Sequence, residues 1–291
     1  MLGNKNKKIY ILGASGFLGS ACTTYLKRHD YKVLTERIDV SDINELTREF
    51  KDTKPDVVIN FAGVRAYPTI DWCEDHKKET VRVNVAGAIN AMIAALEVGA
   101  YPIQISSGCV YTGGLRHFFT EDDEPNFYGS FYSRMRIVLQ KALAELPVLY
   151  TRIRMPMSCY SDPRNFINKI ASYKKVISIP NSVTLIEDLW PTIEKLIEVR
   201  PTGILNLTNE GYVEHKAILS AYKKFVDPNH TYTKITLAEL EGPGGITKAK
   251  RSNCILSTRK AESLGISMPK IDDAKIAEVM KKFKASLNAI I

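Results

Sequence analysis

With 291 residues, 45% of them hydrophobic and 25% charged, the chain has an ordinary globular composition and enough length for one large α/β unit or two closely joined domains. No apolar run approaches bilayer-spanning length, Cys22, Cys73, Cys109, Cys159 and Cys254 form no CxxC pair, and no HExxH occurs, which argues against a membrane span, a disulfide framework and a metal site. The formal net charge of +8 fits an anionic partner; the lysines carry no RNA-binding signature, so a cofactor and a nucleotide diphosphate are expected rather than nucleic acid.

Met1 to Lys8 is polar and basic, has no signal-peptide core and leads straight into a strand. A cytoplasmic location is therefore expected, with Lys5 to Lys8 as a solvated tail. Lys8 to Leu12 is a short apolar strand and Phe17 to Lys27 a helix. Tyr31 to Leu34 is a second strand, followed by a helix from about Asp42 to Phe50, where Asp42 and Glu45 have capping-box spacing. Asp56 to Phe61 is a continuous apolar run of the kind a parallel sheet buries on both faces. A long helix is expected over Glu79 to Val98, then strands at Ile103 to Ser106 and Val148 to Ile153, with a helix from Tyr132 to about Ala144 between them. This alternation predicts a Rossmann-type doubly wound parallel sheet.

The second half is less regular. Pro156, Pro163 and Pro180 punctuate it, with one short helix near Asn165 to Tyr173. A strand is expected at Gly203 to Leu207 and helices at Val213 to Phe225 and Asp273 to Leu287, with Glu241 to Gly245 as a loop. The expected organisation is a nucleotide-binding domain over 1–155, completed by about 181–211. A smaller, discontinuous substrate-binding domain comes from 156–180 and 212–291.

Gly13, Gly16 and Gly19 lie in G-A-S-G-F-L-G between the first strand and the first helix. Glycine lets the chain turn sharply and lets backbone approach a pyrophosphate, and the helix N-terminus offers free N–H groups to that anion. The loop through Ser15, Phe17 and Leu18 is thus a dinucleotide-cofactor site. The second strand runs into Thr35-Glu36-Arg37, which offers both the carboxylate that suits NADH and the arginine that suits the extra phosphate of NADPH. Arg37 tips the expectation to NADPH, with NADH as the alternative. Asn60, Ala62 and Gly63 end the strand that should pass under the cofactor.

Ser106 and Ser107 end a strand at the carboxyl edge, where ligands bind in open α/β sheets. Tyr132 begins a helix, and Arg136 shares its face one turn on. A phenol beside a fixed cation can exchange a proton near neutrality, and a serine hydroxyl can orient a ketone oxygen.

These residues sit among longer matches: DWCE (Asp71 to Glu74), RVNV (Arg82 to Val85), GSFYS (Gly129 to Ser133), RIRMP (Arg152 to Pro156), PRNFI (Pro163 to Ile167), IPNS (Ile179 to Ser182) and RSN (Arg251 to Asn253). In them, over nearly its whole length, the chain resembles the bifunctional UDP-4-keto-6-deoxy-D-glucose 3,5-epimerase/4-reductases of UDP-L-rhamnose synthesis. More distantly it is similar to dTDP-4-dehydrorhamnose reductase. The resemblance implies an NADPH-dependent enzyme of the extended short-chain dehydrogenase/reductase type, with UDP-4-keto-6-deoxy-glucose as substrate and a homodimeric state. It implies that Ser107 and Tyr132 are the catalytic hydroxyl pair and that Cys109 and Lys169 are the epimerisation acid/base pair. Arg251, and with less support Arg164 and Asn165, would bind the substrate's diphosphate. The family carries lysine where this chain has Arg136, which keeps the charge and can hold ribose hydroxyls but cannot lose a proton. Two other readings stand beside this one: a 4-reductase without epimerase activity, needing only Ser107 and Tyr132, and a non-catalytic NADP-binding regulatory subunit.

Overall fold

The computed structural model describes residues 6–64, 69–115 and 117–288, so Lys5 of the basic cluster lies outside the described residues. The strands are β1 (Lys8–Leu12), β2 (Lys32–Leu34), β3 (Val57–Asn60), β4 (Tyr101–Ser107), β5 (Phe118–Phe119), β6 (Leu149–Ile153), β7 (Pro156–Met157), β8 (Lys175–Val176), β9 (Thr184–Leu185), β10 (Gly203–Asn206), β11 (Thr233–Lys234) and β12 (Ile255–Leu256). Six of them form one sheet in the order β10-β6-β4-β3-β1-β2, every pair parallel. Each residue of β3, β4 and β6 is buried, because helices cover both faces and leave the central strands no solvent side.

On one face, α1 (Phe17–Arg28) contributes Cys22 and Leu26 to a core shared with Ile9, Ile11, Val57, Ile59 and Ile103. On the other, α2 (Ile43–Thr53) supplies Leu46 and Phe50, which pack with Tyr10, Leu12 and Val58. The alternation of side chains along β1 thus feeds two cores from one strand. The chain passes from β2 on one side of β1 to β3 on the other, so the crevice beyond the carboxyl ends of β1 and β3 is the topological switch point.

The helix expected over Glu79 to Val98 is divided. After the single turn α3 (Trp72–Asp75) come α4 (Lys77–Val81), a π-helical turn at Arg82–Gly87 and α5 (Ala88–Glu97). Within the wide turn, Asn84 is buried and turns inward to donate from Nδ2 to the Val64 carbonyl at 3.2 Å. A side chain recruited to hold a loop, inside a helix whose period is locally stretched, is what periodicity alone does not register.

Next, α6 (Phe131–Leu143) starts at an N-cap, Ser130, whose hydroxyl accepts from the Ser133 N–H. Beyond β6, α7 (Phe166–Ser172), α9 (His215–Phe225) and α12 (Asp273–Asn288) build a third core around Met157, Ile167, Ile170, Ile218, Leu219, Val279, Met280 and Phe283. Between α7 and α9 lies α8 (Ile186–Val199), a helix the sequence reading omits because Pro191 interrupts it. Its Leu189, Trp190, Ile193 and Leu196 pack on the α1 side of the sheet. Glu241 is the last residue of α10 (Leu237–Glu241) rather than the start of a loop, and α11 (Arg259–Ser263) is a short turn after β12.

Candidate active site

The glycine loop is shaped by two contacts that no other residue permits. Gly13 has φ +74, and a Cβ there would lie 2.6 Å from the Ala62 backbone nitrogen. At Gly19 a Cβ would run into the Gly13 carbonyl, so α1 can approach the end of β1 only without a side chain. The Gly16 N–H closes the turn on the Gly13 carbonyl at 2.9 Å. Gly16 then serves as N-cap with no side-chain capping bond, and no acidic residue stands in the first turn of α1. These free N–H groups and the positive end of the helix dipole fit a pyrophosphate. Ser15 and Gly16 are exposed at this opening, while Phe17 and Leu18 pack partly into the core, so their contribution to the cradle is backbone. We expect Gly13→Ala to cost at least ~2 kcal/mol, read as a fall of roughly 5 °C in Tm. An unchanged Tm would mean the loop relaxes away from Ala62.

Asn60 ends β3 beneath the glycine loop. It is fully buried, donates to Gln104 Oε1 at 2.8 Å and accepts from the Ala62 N–H at 2.9 Å, so it acts by fixing the bend beneath Gly13. Gly63 is exposed at the same edge, where a Cβ would stand 2.9 Å from Asn84 Oδ1 and 3.8 Å from Arg136 Nη2. The Asn84 oxygen is buried and has no hydrogen-bond partner among the described residues. Arg37 is exposed just beyond β2.

Two serines end β4, and only one is available. Ser106 donates to the Tyr150 hydroxyl at 2.6 Å, inside the sheet. Ser107 accepts the Cys109 N–H at 3.1 Å, which folds the loop back so that hydroxyl and thiol leave the same strand end. The Arg154 Nη1 donates to Cys109 Sγ at 3.2 Å. Tyr132 lies in the first turn of α6, with the Arg136 guanidinium 4.8 Å from its ring centre. Burial opposes the charge of Arg136, but the phenols of Tyr132 and Tyr150 outweigh it and raise its pKa above the ordinary guanidinium value. Tyr132 is also close enough to Arg154 to act on its charge. Cys109 and Tyr132 thus both lie within the influence of Arg154, and Tyr132 lies against Arg136.

The remaining expected residues lie on other segments of the chain. Arg251 is half-buried and donates to Asp71 Oδ1 at 3.0 Å and to the Ala249 carbonyl at 2.6 Å. Burial works against the Asp71 carboxylate, but Arg251 and the Ala249 N–H outweigh it and hold its pKa below the ordinary value. Lys169 is half-buried in the middle of α7, one turn before Tyr173, whose phenol is near enough to Arg251 and Asp71 to feel both charges.

Arg164 lies on the glycine-loop side. It pairs in a fork with Asp162 at 2.8 and 2.9 Å, and its guanidinium lies 5.5 Å from the centre of the Phe17 ring, against the glycine loop. Asn165 is fully buried as the N-cap of α7, accepts from Ile167 and Ser158 N–H groups, and donates to the Ser158 and Tyr160 carbonyls. An amide so committed shapes the loop and leaves nothing for a ligand. Trp72 stacks on His76 with ring centres 4.0 Å apart.

Sequence reasoning assigned no role to Arg154 or Asn84. The available signal for Arg154 was its position just past the carboxyl end of β6, the same edge that carries Ser107. Among the described residues, no three histidine, cysteine or acidic side chains could share a metal, and no helix is long and apolar enough to cross a membrane. All five cysteines are free.

A parallel sheet with a glycine loop at its switch point, and a Ser/Tyr pair on the adjoining strand and helix, defines an enzyme fold of the extended short-chain dehydrogenase/reductase type. Residues 7–196 match the family model described as the RmlD substrate binding domain, and the chain belongs to that family. It is 35% identical over 261 residues to a bifunctional dTDP-4-dehydrorhamnose 3,5-epimerase/dTDP-4-dehydrorhamnose reductase of Arabidopsis thaliana, covering 87% of this chain and 86% of that one. A trifunctional UDP-glucose 4,6-dehydratase/UDP-4-keto-6-deoxy-D-glucose 3,5-epimerase/UDP-4-keto-L-rhamnose-reductase of the same plant is 33% identical over 288 residues, and this chain spans 43% of its length. Among solved structures, a UDP-rhamnose synthase from Acanthamoeba polyphaga mimivirus superposes with a TM-score of 0.89 at 32% identity, covering 95% of this chain and 99% of that one.

Proposed function

We propose that the chain converts UDP-4-keto-6-deoxy-D-glucose to UDP-L-rhamnose by inversion at carbons 3 and 5 followed by NADPH-dependent reduction at carbon 4. The observation that carries this reading is the Cys109 thiol on the same strand-end loop as Ser107, with Ser107 Oγ accepting the Cys109 N–H. Reduction alone needs no thiol there. The names of the relatives support the same pair of activities.

The glycine loop and Arg37 would hold NADPH, which would supply the hydride for carbon 4. Ser107 and Tyr132 donate hydrogen bonds to the carbon 4 oxygen and stabilise the enolate when a neighbouring carbon loses its proton. Cys109 and Lys169 remove and return those protons on opposite faces of the ring. Tyr132 then protonates the oxygen as carbon 4 is reduced. Arg136 holds Tyr132 in place and would hold the cofactor's ribose hydroxyls, and the phenol would regain its proton through those hydroxyls or water. Arg251 meets the nucleotide diphosphate. The working state is a homodimer, and 156–180 with 212–291 form the substrate-binding part.

Because Arg136 carries no proton in this scheme, Arg136→Lys is expected to leave turnover within about tenfold. A thousandfold gain would mean that a lysine relay had been the missing part. The overall reading is tested by supplying UDP-4-keto-6-deoxyglucose with NADPH, and separately with NADH, and identifying the sugar. UDP-L-rhamnose formed faster with NADPH supports it, whereas a sugar reduced at carbon 4 without inversion would leave only a reductase.

A further inference from the structure

Arg154 is one of three buried arginines, with Arg136 and Arg152, that no carboxylate pairs among the described residues, and its guanidinium is hydrogen-bonded to a thiol. It is 2% exposed, yet among the described residues no carboxylate lies within ion-pair distance. Arg164 and Arg251, both far more accessible, each have one, Asp162 and Asp71. The Arg154 partners are the Gly108 and Ser252 carbonyls, the Ser252 hydroxyl, the Asn181 side-chain oxygen and Cys109 Sγ, while its Nε has no partner among the described residues. A buried guanidinium without a counter-charge is costly, and the one hydrogen-bonded partner able to become an anion is the Cys109 thiol.

Other groups around it do not take that role. Cys254 is fully buried, and burial pushes its thiol up despite Arg154. His215 is nine-tenths buried, and its pKa is lowered to about 4 by burial and then by the Arg154 charge, so it faces Arg154 as a neutral ring. Tyr132 stands near Arg154 but already lies under the Arg136 guanidinium. Cys109 is half-buried and so partly accessible.

We propose that Arg154 is the positioning residue of the inversion step, its buried guanidinium holding Cys109 Sγ toward the cleft and stabilising the thiolate that takes the proton beside the sugar ketone. In that step the C–H bond at carbon 3 or 5 breaks, an S–H bond forms at Cys109, and the electron pair moves onto the carbon 4 oxygen as an enolate. A proton delivered to the opposite face completes the inversion and restores the ketone. This inference rests on the proposed function, but its chemical signature can be read without the sugar.

The test compares wild type, Arg154→Gln and Arg154→Lys. Alkylation of Cys109 by iodoacetamide at pH 7, followed by mass spectrometry of its peptide, is expected to slow about tenfold or more in Arg154→Gln and to recover most of that loss in Arg154→Lys. Deuterium exchange at carbons 3 and 5 should fall in the same order, with NADPH affinity reporting that the variants are folded. In wild type alone, anionic iodoacetate should gain on neutral iodoacetamide by about tenfold relative to their ratio on free glutathione, a preference that only a cation at the sulfur produces. This arm stands even if Arg154→Gln does not fold. An iodoacetate ratio equal to that of glutathione, or exchange and alkylation in Arg154→Gln within threefold of wild type, would overturn the inference. Absence of label in wild type would instead sink the inversion reading itself.

Discussion

Tyr132→Phe is expected to lower kcat for reduction by about a thousandfold, roughly 4 kcal/mol of transition-state stabilisation. The hydroxyl lost is the one at the first turn of α6, beside the Arg136 guanidinium and within range of Arg154. Its hydrogen bond strengthens only as charge develops on the carbon 4 oxygen, so kcat and kcat/KM should fall together while KM barely moves. The fold should survive, because the hydrogen bonds that cap and anchor α6 run through other groups: Ser130 caps the helix through Ser133, and Tyr150 donates to the Arg136 carbonyl. Steady-state kinetics on UDP-4-keto-L-rhamnose with NADPH measure the effect. Turnover within tenfold of wild type would mean that the proton comes from elsewhere.

The second large effect concerns inversion. Cys109→Ala is expected to slow proton exchange at carbons 3 and 5 by about a thousandfold, since it removes a proton-transfer group whose contribution lies in the 10²–10⁴ range. Reduction of UDP-4-keto-L-rhamnose, supplied already inverted, should fall far less, because hydride delivery and protonation at carbon 4 do not pass through the thiol. The split between half-reactions separates this role from a packing role. A cysteine that merely filled space would affect both steps alike or neither. Cys109 is also poorly placed for a packing role, being the one cysteine of the five that is not buried.

Features fixed by local chemistry were legible in the sequence. The Gly13-Gly16-Gly19 spacing after an apolar run could serve only a sharp turn into a helix, and the structure has that turn. The run from Val57 to Asn60 is buried throughout, as its unbroken apolar character required. Features fixed by distant partners were not. Asn60 and Asn165 look like ligand-binding amides in a sequence, because nothing local reveals that Gln104 and Ala62, or Ser158 and Tyr160, consume their hydrogen-bonding groups. The surroundings of Arg164 were hidden for the same reason: its approach to Phe17 and Ser15 joins segments about half the chain apart. Arg154 went unassigned because its significance lies in what it lacks, a carboxylate, and a missing partner has no sequence signal. The π-helical turn at Arg82–Gly87 was hidden by an apolar pattern that a regular helix also satisfies.

The central claim is that one cleft both inverts and reduces the same sugar. Its most direct measurement is nuclear magnetic resonance of the sugar formed in heavy water from UDP-4-keto-6-deoxyglucose and NADPH. The expected product carries deuterium at carbons 3 and 5, hydrogen from the cofactor at carbon 4, and the L-rhamno configuration. A product hydrogenated at carbon 4 but unlabelled at carbons 3 and 5 would contradict it.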